Sequence, residues 1–341
     1  MKQYLEKVIN RENLTLEEMK EATNYCFTDA VTESEIAALL TALQAKGETA
    51  DEIAGLVEVI REKSSFQTNP IIGAIDNCGT GGDQSNSFNI STTSAFVMAG
   101  AGLRVAKHGN RSISSKTGSA DVLEHLGVSL TFSKKHVEEM LLENNIAFLF
   151  APHVHEALKP FSIVRQNLGL PTIFNAIGPL TNPIELDTQL IGVYRKGLLP
   201  KIATSLKKLG RRRAIVVTGA GSMDEASLAG ANDLIILDNG ELTPFTLHPE
   251  EVGLAVYSND AIRGGDSKEN AAILLSVLKG KKGAYFDTVL LNAGLGIYTS
   301  GKAVTIKEGI ELARESLLSG AALERLERLI EFSNKIPSEV H

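Results

Sequence analysis

Two cysteines, Cys26 and Cys78, stand far apart in a chain of 341 residues. Two distant thiols build neither a disulfide framework nor a Cys-rich zinc site, and their scarcity predicts a reducing compartment. An excess of positive charge is missing too. The 41 acidic residues outnumber the 34 basic ones, leaving −7, so the molecule as a whole repels nucleic acid and anionic membranes. No uninterrupted apolar segment approaches the ~18 residues that span a bilayer. The opening stretch, MKQYLEKVINRENLTLEEMK, has no apolar core and no small-residue cleavage pattern. These absences predict a cytoplasmic protein that partners neither membrane nor nucleic acid. No low-complexity segment interrupts the chain. The composition, 43% hydrophobic and 22% charged, is that of a globular protein with one large domain or two ordinary ones. One cationic run, Arg211-Arg212-Arg213, precedes an apolar stretch and reads as a solvated turn before a strand.

Residues 1–68 carry apolar side chains at helical spacing, as in Ile36, Leu39, Leu40 and Leu43, then Ile53, Leu56, Val57 and Ile60. Three capping boxes punctuate them: Thr15 before Glu18, Thr32 before Glu35 and Thr49 before Glu52. This predicts short helices in series, ended by the breaker SSFQTNP at 64–70. Beyond Pro70 the texture changes. Short β-branched runs at 71–76, 103–108, 146–150, 189–194, 214–219 and 234–238 alternate with helical segments such as 92–101 and 134–144. That alternation predicts an α/β domain over 71–341 with a mostly parallel central sheet flanked by helices. DNGELTPFTL at 238–247 suggests a hairpin, and helices follow at 267–280, 283–298 and, as one long amphipathic run, 303–335. The Pro- and Gly-dense stretch 160–183 fits neither texture and reads as a crossing between the two parts.

Four segments carry chemistry. DNCGTGGDQSNSFNIST (76–92) follows a strand and opens into a helix. Glycines let a ligand approach the backbone, and the helix N-terminus favours anions. It is no Rossmann fingerprint, because Gln84 stands where the last glycine belongs, and no Gly-Lys-Ser/Thr makes it a P-loop. A phosphate cradle and a Gly-rich turn with Ser/Asn caps both fit. KHGNRSISSKTGSAD (107–121) interleaves Lys107, His108, Arg111 and Lys116 with small hydroxyl and amide donors, which suits a polyanion or a solvated basic loop. Both loops follow strands, so both can face one crevice. In TGAGSMDEASL (218–228), Asp224 and Glu225 suit Mg²⁺ or cap a following helix. Arg165, in FSIVRQNLG, is either a surface residue or a bidentate anchor for a carboxylate.

GTGGD (79–83), NIST (89–92), KHGNR (107–111), GSAD (118–121), GPLTNP (178–183), the Asp224-Glu225 pair and NAGLGIY (292–298) stand in one order. In that order they resemble the anthranilate phosphoribosyltransferase family over nearly the whole chain. The resemblance implies a small helical domain, residues 1–68 joined in space by about 166–183, hinged on the α/β domain. It also implies a homodimer through the helical domain. The implied reaction joins the amine of anthranilate to 5-phosphoribosyl 1-pyrophosphate (PRPP), with Mg²⁺ as cofactor. By the family pattern Gly79, Gly82, Asp83, Ser87, Asn89, Ile90, Ser91 and Thr92 line the PRPP pyrophosphate. Lys107, Asn110, Arg111, Ser115 and Ser119 embrace its phosphoribosyl part. Ser91, Asp224 and Glu225 hold magnesium. Anthranilate lies near Gly79, His108, Asn110 and Arg165, with His108 the one catalytic candidate. Ser87 stands where many members carry threonine, and keeps the hydroxyl. Asp83 would repel phosphates, so it is expected on a ribose hydroxyl, a backbone donor or metal-bound water. A pyrimidine nucleoside phosphorylase of the same architecture is the nearest rival, but its basic loops differ from KHGNR and GSAD. A nucleic-acid binder that has lost catalysis is opposed by the acidic charge and the intact acid pair.

Overall fold

Thr15, Thr32 and Thr49 each accept a hydrogen bond from the backbone N–H three residues on, while Glu18, Glu35 and Glu52 reach back, so all three capping boxes form. The computed structural model describes residues 1–66, 68–112 and 116–335. The boxes start three of the four opening helices: α1 (Lys2–Ile9), α2 (Leu16–Tyr25), α3 (Glu33–Lys46) and α4 (Ala50–Glu62). Next come β1 (Ala74–Gly79), α5 (Ile90–Gly100), β2 (Arg104–Gly109), α6 (Ser119–His125), α7 (Lys134–Glu143) and β3 (Ile146–Phe150). After β3 comes the short α8 (Ala151–Val154), and the crossing holds α9 (Lys159–Leu168) and α10 (Phe174–Ile177). Then follow β4 (Thr188–Gly192), α11 (Leu199–Lys208), β5 (Arg213–Thr218), β6 (Asn232–Asp238) and β7 (Glu241–Leu247). The chain closes with α12 (Ser267–Leu278), α13 (Ala284–Ser300), α14 (Ile306–Leu318) and α15 (Ala321–Lys335).

The seven strands form one sheet in the order β3-β2-β1-β4-β5-β6-β7. The first five run parallel and the last two antiparallel. The β6–β7 hairpin turns at Asn239-Gly240, both at positive φ (47° and 87°), as a two-residue hairpin turn requires. Pro244 is tolerated because β7 is an edge strand.

Strand alternation divides the sheet between two cores. Ile215 and Val217 face the core built with α5 and α12–α15, while Ala214 and Val216 face the other. That second core unites Leu39, Leu43 and Leu56 of the opening helices with Phe161, Val164, Ile173, Ala176, Ile177 and Leu180 of the crossing. The crossing is therefore packed on the helical unit.

Three sequence expectations shift. The first strand runs from 74 to 79 and not from 71 to 76, which makes Gly79 its last residue. The run 303–335 breaks into two helices at Gly320, whose φ of 82° no helix interior accepts. Within the cationic run, Arg211 is only 4% exposed and its Nε donates to Gln189 Oε1 at 3.1 Å. It is a buried polar anchor and not a solvated turn residue. No helix of the described residues is long and apolar enough to cross a membrane.

The helical unit turns on one buried ion pair. Glu52 accepts from Lys46 Nζ at 2.9 Å, from Thr49 N at 2.8 Å and from Leu14 N at 2.9 Å, and so ties α3, α4 and the α1–α2 loop together. Removing one partner strands the other charge and two backbone donors. Glu52→Ala is expected to destabilise the protein by about 3–5 kcal/mol in urea titration. A loss under about 1 kcal/mol, the size of a surface pair, would contradict this role.

Candidate active site

From β1 the chain moves outward through β2 and β3, then returns to the other side of β1 for β4 and β5. Strand order reverses between β1 and β4, and α/β sheets take ligands in the crevice outside such carboxyl ends. Gly79 and Gly192 are the last residues of these strands and are register partners. Asp224 lies directly over them. A Cβ on Gly79 would stand 2.2 Å from Asp224 Oδ2, and one on Gly192 would stand 1.6 Å from the Asp224 carbonyl oxygen. The Gly81 N–H donates to Asp224 Oδ2 at 2.6 Å, locking the β5–β6 loop to the Gly-rich loop. No helix follows Asp224-Glu225, since the chain loops directly into β6, so the helix-cap reading of this pair falls away.

Acids crowd this point. Burial pushes the Asp224 carboxyl up, and neighbouring Asp83 adds to it. Burial raises Glu225 as well, with Asp224 the next cause, while Lys107 and a hydrogen bond to Ser91 oppose the shift. Asp83 Oδ1 accepts from the Ser85 N–H at 3.1 Å, one of its expected contacts, and its buried Oδ2 has no partner. Like charge held this closely suits a cation. Among the described residues no group of three or more His, Cys, Asp or Glu side chains forms a metal cage. Asp224, Glu225 and the Ser91 hydroxyl are a donor set for a hard cation that takes its remaining oxygens from a ligand, as magnesium does.

Beside the acids lies the cradle. Gly81, Gly82, Gln84 and Asn86 all have positive φ, between 53° and 84°. Left-handed residues interleaved with ordinary ones make the backbone of an anion nest. The helix α5 starts at Ile90, earlier than the sequence suggests, so Ile90, Ser91 and Thr92 form its first turn. Asn89 stands at its N-cap without a side-chain capping bond, which leaves first-turn N–H groups open to an anion. Thr92 Oγ1 is buried without a partner. Ser87 pairs with Arg263 in an isolated bridge, and its hydroxyl accepts from Ser85 Oγ at 3.1 Å.

The loop after β2 divides in role. Lys107 turns inward: it is 2% exposed, and its Nζ donates to His108 O at 3.0 Å within electrostatic reach of Asp76 and Glu225. Asn110 is exposed, and its carbonyl accepts from Ser119 Oγ and Ala120 N. Arg111 pairs with Asp121 at 2.9 Å and Glu124 at 2.8 Å. Ser115 lies outside the described residues.

His108 is buried, and its ring bonds the Gly178 carbonyl. Burial, then the charges of His155 and Lys107, hold its pKa well below the usual imidazole range. His155 packs edge-on against it, ring centroids 5.5 Å apart, and bonds the Thr181 carbonyl. Both rings keep an unpartnered Nε2. Arg165, on α9, is half-buried with its guanidinium 5.0 Å from the centre of the Phe174 ring. No carboxylate among the described residues pairs with it. The crossing segment links these groups, since Phe174, Gly178 and Thr181 all belong to it.

Three participants escaped the sequence reading. His155 follows β3 by five residues, and the strand-end rule that singled out the other loops could have found it. Asp76 accepts from the His108 N–H at 3.2 Å and from Asn182 Nδ2 at 3.0 Å, and so binds β1, β2 and the crossing together. Asp76 and Asn182 stand inside the segments 76–92 and 178–183 that the sequence singles out, but nothing local gave either of them a role.

Residues 2–64 match the model of the glycosyl transferase family helical bundle domain, and residues 72–323 that of the glycosyl transferase family a/b domain. The chain is 60% identical to the anthranilate phosphoribosyltransferase of Oceanobacillus iheyensis over 100% of both chains. It superposes on the crystal structure of the Thermus thermophilus anthranilate phosphoribosyltransferase with a TM-score of 0.90, at 41% identity, covering 97% of this chain and 99% of that one. The Saccharomyces cerevisiae enzyme in complex with PRPP and Mg gives a TM-score of 0.89 at 29% identity, covering 98% of each chain.

The buried imidazoles have a measurable consequence. His155 is pushed down to about 4 from the ordinary 6.5. Between those values the unfolded chain binds a proton that the folded chain does not, so stability falls as pH drops through this window. Above it the group contributes no pH dependence. His155→Gln is expected to flatten the acid limb by up to about 3 kcal/mol, read from urea midpoints at about pH 7 and about pH 4.5. An unchanged limb would contradict a buried neutral ring.

Proposed function

The chain belongs to the anthranilate phosphoribosyltransferase family, and from that premise we infer how its own residues divide the work. The reaction transfers the phosphoribosyl group of PRPP to the amine of anthranilate and releases pyrophosphate, the second step from chorismate in tryptophan biosynthesis. The observation that carries the assignment of residues is the seating of Asp224 over Gly79 and Gly192, beside the first turn of α5.

In this reading the pyrophosphate of PRPP lies against Gly79, Gly82, Asp83, Ser87 and the α5 start at Asn89, Ile90, Ser91 and Thr92. Asp224, Glu225 and Ser91 hold Mg²⁺, which when bound neutralises the charge that grows on the leaving pyrophosphate. The raised carboxyl pKa values support this, because a bound cation relieves the repulsion. Asn110, Arg111 and Ser119 face the phosphoribosyl part, and Ser115, outside the described residues, is assigned there by the family pattern alone. Lys107, placed by the family pattern with that group, is buried and also acts as a countercharge to Glu225.

Anthranilate occupies the side of Gly79, His108, Asn110 and Arg165. A half-buried guanidinium without an acid partner suits a bidentate carboxylate contact. An aryl amine is neutral at pH 7 and a poor base, so it needs placement more than activation. The depressed His108 pKa fits that need. Its neutral Nε2 can accept from the amine and orient it, and is a weak base for taking its proton after attack.

The units 1–68 with 166–183, and 71–341, are proposed to close over the substrates about hinges at 64–70 and 160–183, which excludes water from PRPP. A homodimer through the helical unit is part of the same reading, implied by the family pattern. Two free cysteines support a cytoplasmic setting.

Steady-state rates, followed by the loss of anthranilate fluorescence with PRPP and Mg²⁺, test the acceptor side. Arg165→Ala is expected to raise the KM for anthranilate at least about 30-fold while the PRPP KM stays near its original value. A uniform rise for both substrates would remove Arg165 from the acceptor site.

A further inference from the structure

The segment Arg263-Gly264-Gly265-Asp266-Ser267-Lys268-Glu269-Asn270 carried no motif in the sequence, yet it is stitched to the cradle. Gly264 N donates to Asn86 O at 2.8 Å, and Phe88 N to Ile262 O at 3.1 Å. A Cβ on Gly264 would stand 2.5 Å from Asn270 Oδ1 and 2.8 Å from Phe88 Cα, so the two chains touch with no room between them. Thr117 Oγ1 donates to Gly265 O at 2.9 Å, tying the same turn to the loop after β2.

Asn270 is the centre of this contact. It is 2% exposed in the first turn of α12, whose start is held by a capping box between Asp266 and Glu269. Its Oδ1 accepts from the Gly265 N–H at 2.8 Å, and its Nδ2 donates to Asn89 Oδ1 at 2.8 Å. A backbone N–H can only donate, so it fixes which end of the Asn270 amide is oxygen. Nδ2 then faces Asn89, and a donor must meet an acceptor, so Asn89 presents its own oxygen there. One backbone donor thus orients two amides in series. The Asn89 Nδ2 is left at the mouth of α5, where Thr117 O accepts it only at 3.5 Å, the limit of a hydrogen bond.

We propose that Asn270 is a positioning residue for the reaction: it holds Asn89 so that a donor, and not a pair of oxygen lone pairs, faces the pyrophosphate oxygens of PRPP. This rests on the reading of Asn89 as part of the PRPP site. Asn270→Asp tests it, because the substitution keeps the acceptor for Gly265 and turns the donor into an acceptor. Asn89 then gains by turning over, and its oxygen faces the anion.

The expected result is a PRPP KM raised about tenfold, with the anthranilate KM near its original value in protein that remains folded at the assay temperature. In an Asn89→Ala background the same Asn270→Asp change is expected to alter the PRPP KM by less than about twofold, because the group it acts through is gone. Equal effects in both backgrounds, no effect in either, or a joint rise in both KM values would overturn the proposal. An Asn89→Ala variant with an unchanged PRPP KM would overturn the PRPP-site reading of Asn89 and this proposal with it. Equal effects beside an impaired Asn89→Ala would sink the positioning role alone. In the unaltered protein, an NMR titration with magnesium pyrophosphate is expected to shift the Asn89 side-chain amide protons and leave those of Asn270 in place. Asn89 amide protons that do not respond would contradict the proposal even if Asn270→Asp fails to fold.

Discussion

The close approach of Asp224 to the ends of β1 and β4 is the constraint on which the rest of the site depends. Two glycines, paired in register at the point where strand order reverses, leave space that no side chain could share. Through that space the β5–β6 loop lowers its acids toward the Gly-rich loop, and the Gly81 N–H closes the contact. Everything that handles charge is built around this point. The first turn of α5 supplies donors, Lys107 supplies a countercharge from below, and Asp83 and Glu225 complete a cluster whose mutual repulsion suits a hard cation.

A second theme is the crossing segment 174–182. It packs on the opening helices, yet its carbonyls hold His108 and His155, its Asn182 holds Asp76, and its Phe174 lies under Arg165. The groups proposed for the acceptor side are therefore held by the same residues that join the helical unit to the sheet. If the proposed closure occurs, this arrangement would couple the proposed acceptor site to the relation between the two units. Burial holds both imidazoles below the usual range, which agrees with the proposal that His108 orients the amine.

Local chemistry made much of this legible. Thr-x-x-Glu boxes announced three helices because capping is a contact within four residues, and β-branched runs announced strands because their period is short. The loops after β1, β2 and β5 stood out because glycine, serine and acid clusters are unusual for a core. What escaped was long-range. Asp76 looks like any strand residue until Asn182, more than a hundred positions on, donates to it. Asn270 looks like ordinary first-turn polarity until it meets Asn89. Arg211 sat in a run that reads as solvated, and only its packing against Gln189 of the interior strand β4 shows it buried. That Lys107 is buried was not legible, because nothing in its neighbours reveals which way a strand-end lysine points. The boundary errors have similar causes: one glycine at positive φ split the last helix, and no single residue fixed where β1 began.

The central claim is that Asp224 and Glu225, held over the paired glycines, carry the cation that meets the pyrophosphate. Anomalous diffraction from crystals grown with PRPP and Mn²⁺ in place of Mg²⁺ tests it most directly. The account predicts a manganese peak in contact with the Asp224 or Glu225 carboxylate and with pyrophosphate oxygens, beside the first turn of α5. A peak held by neither carboxylate, with PRPP bound and the two acids facing no metal, would contradict it.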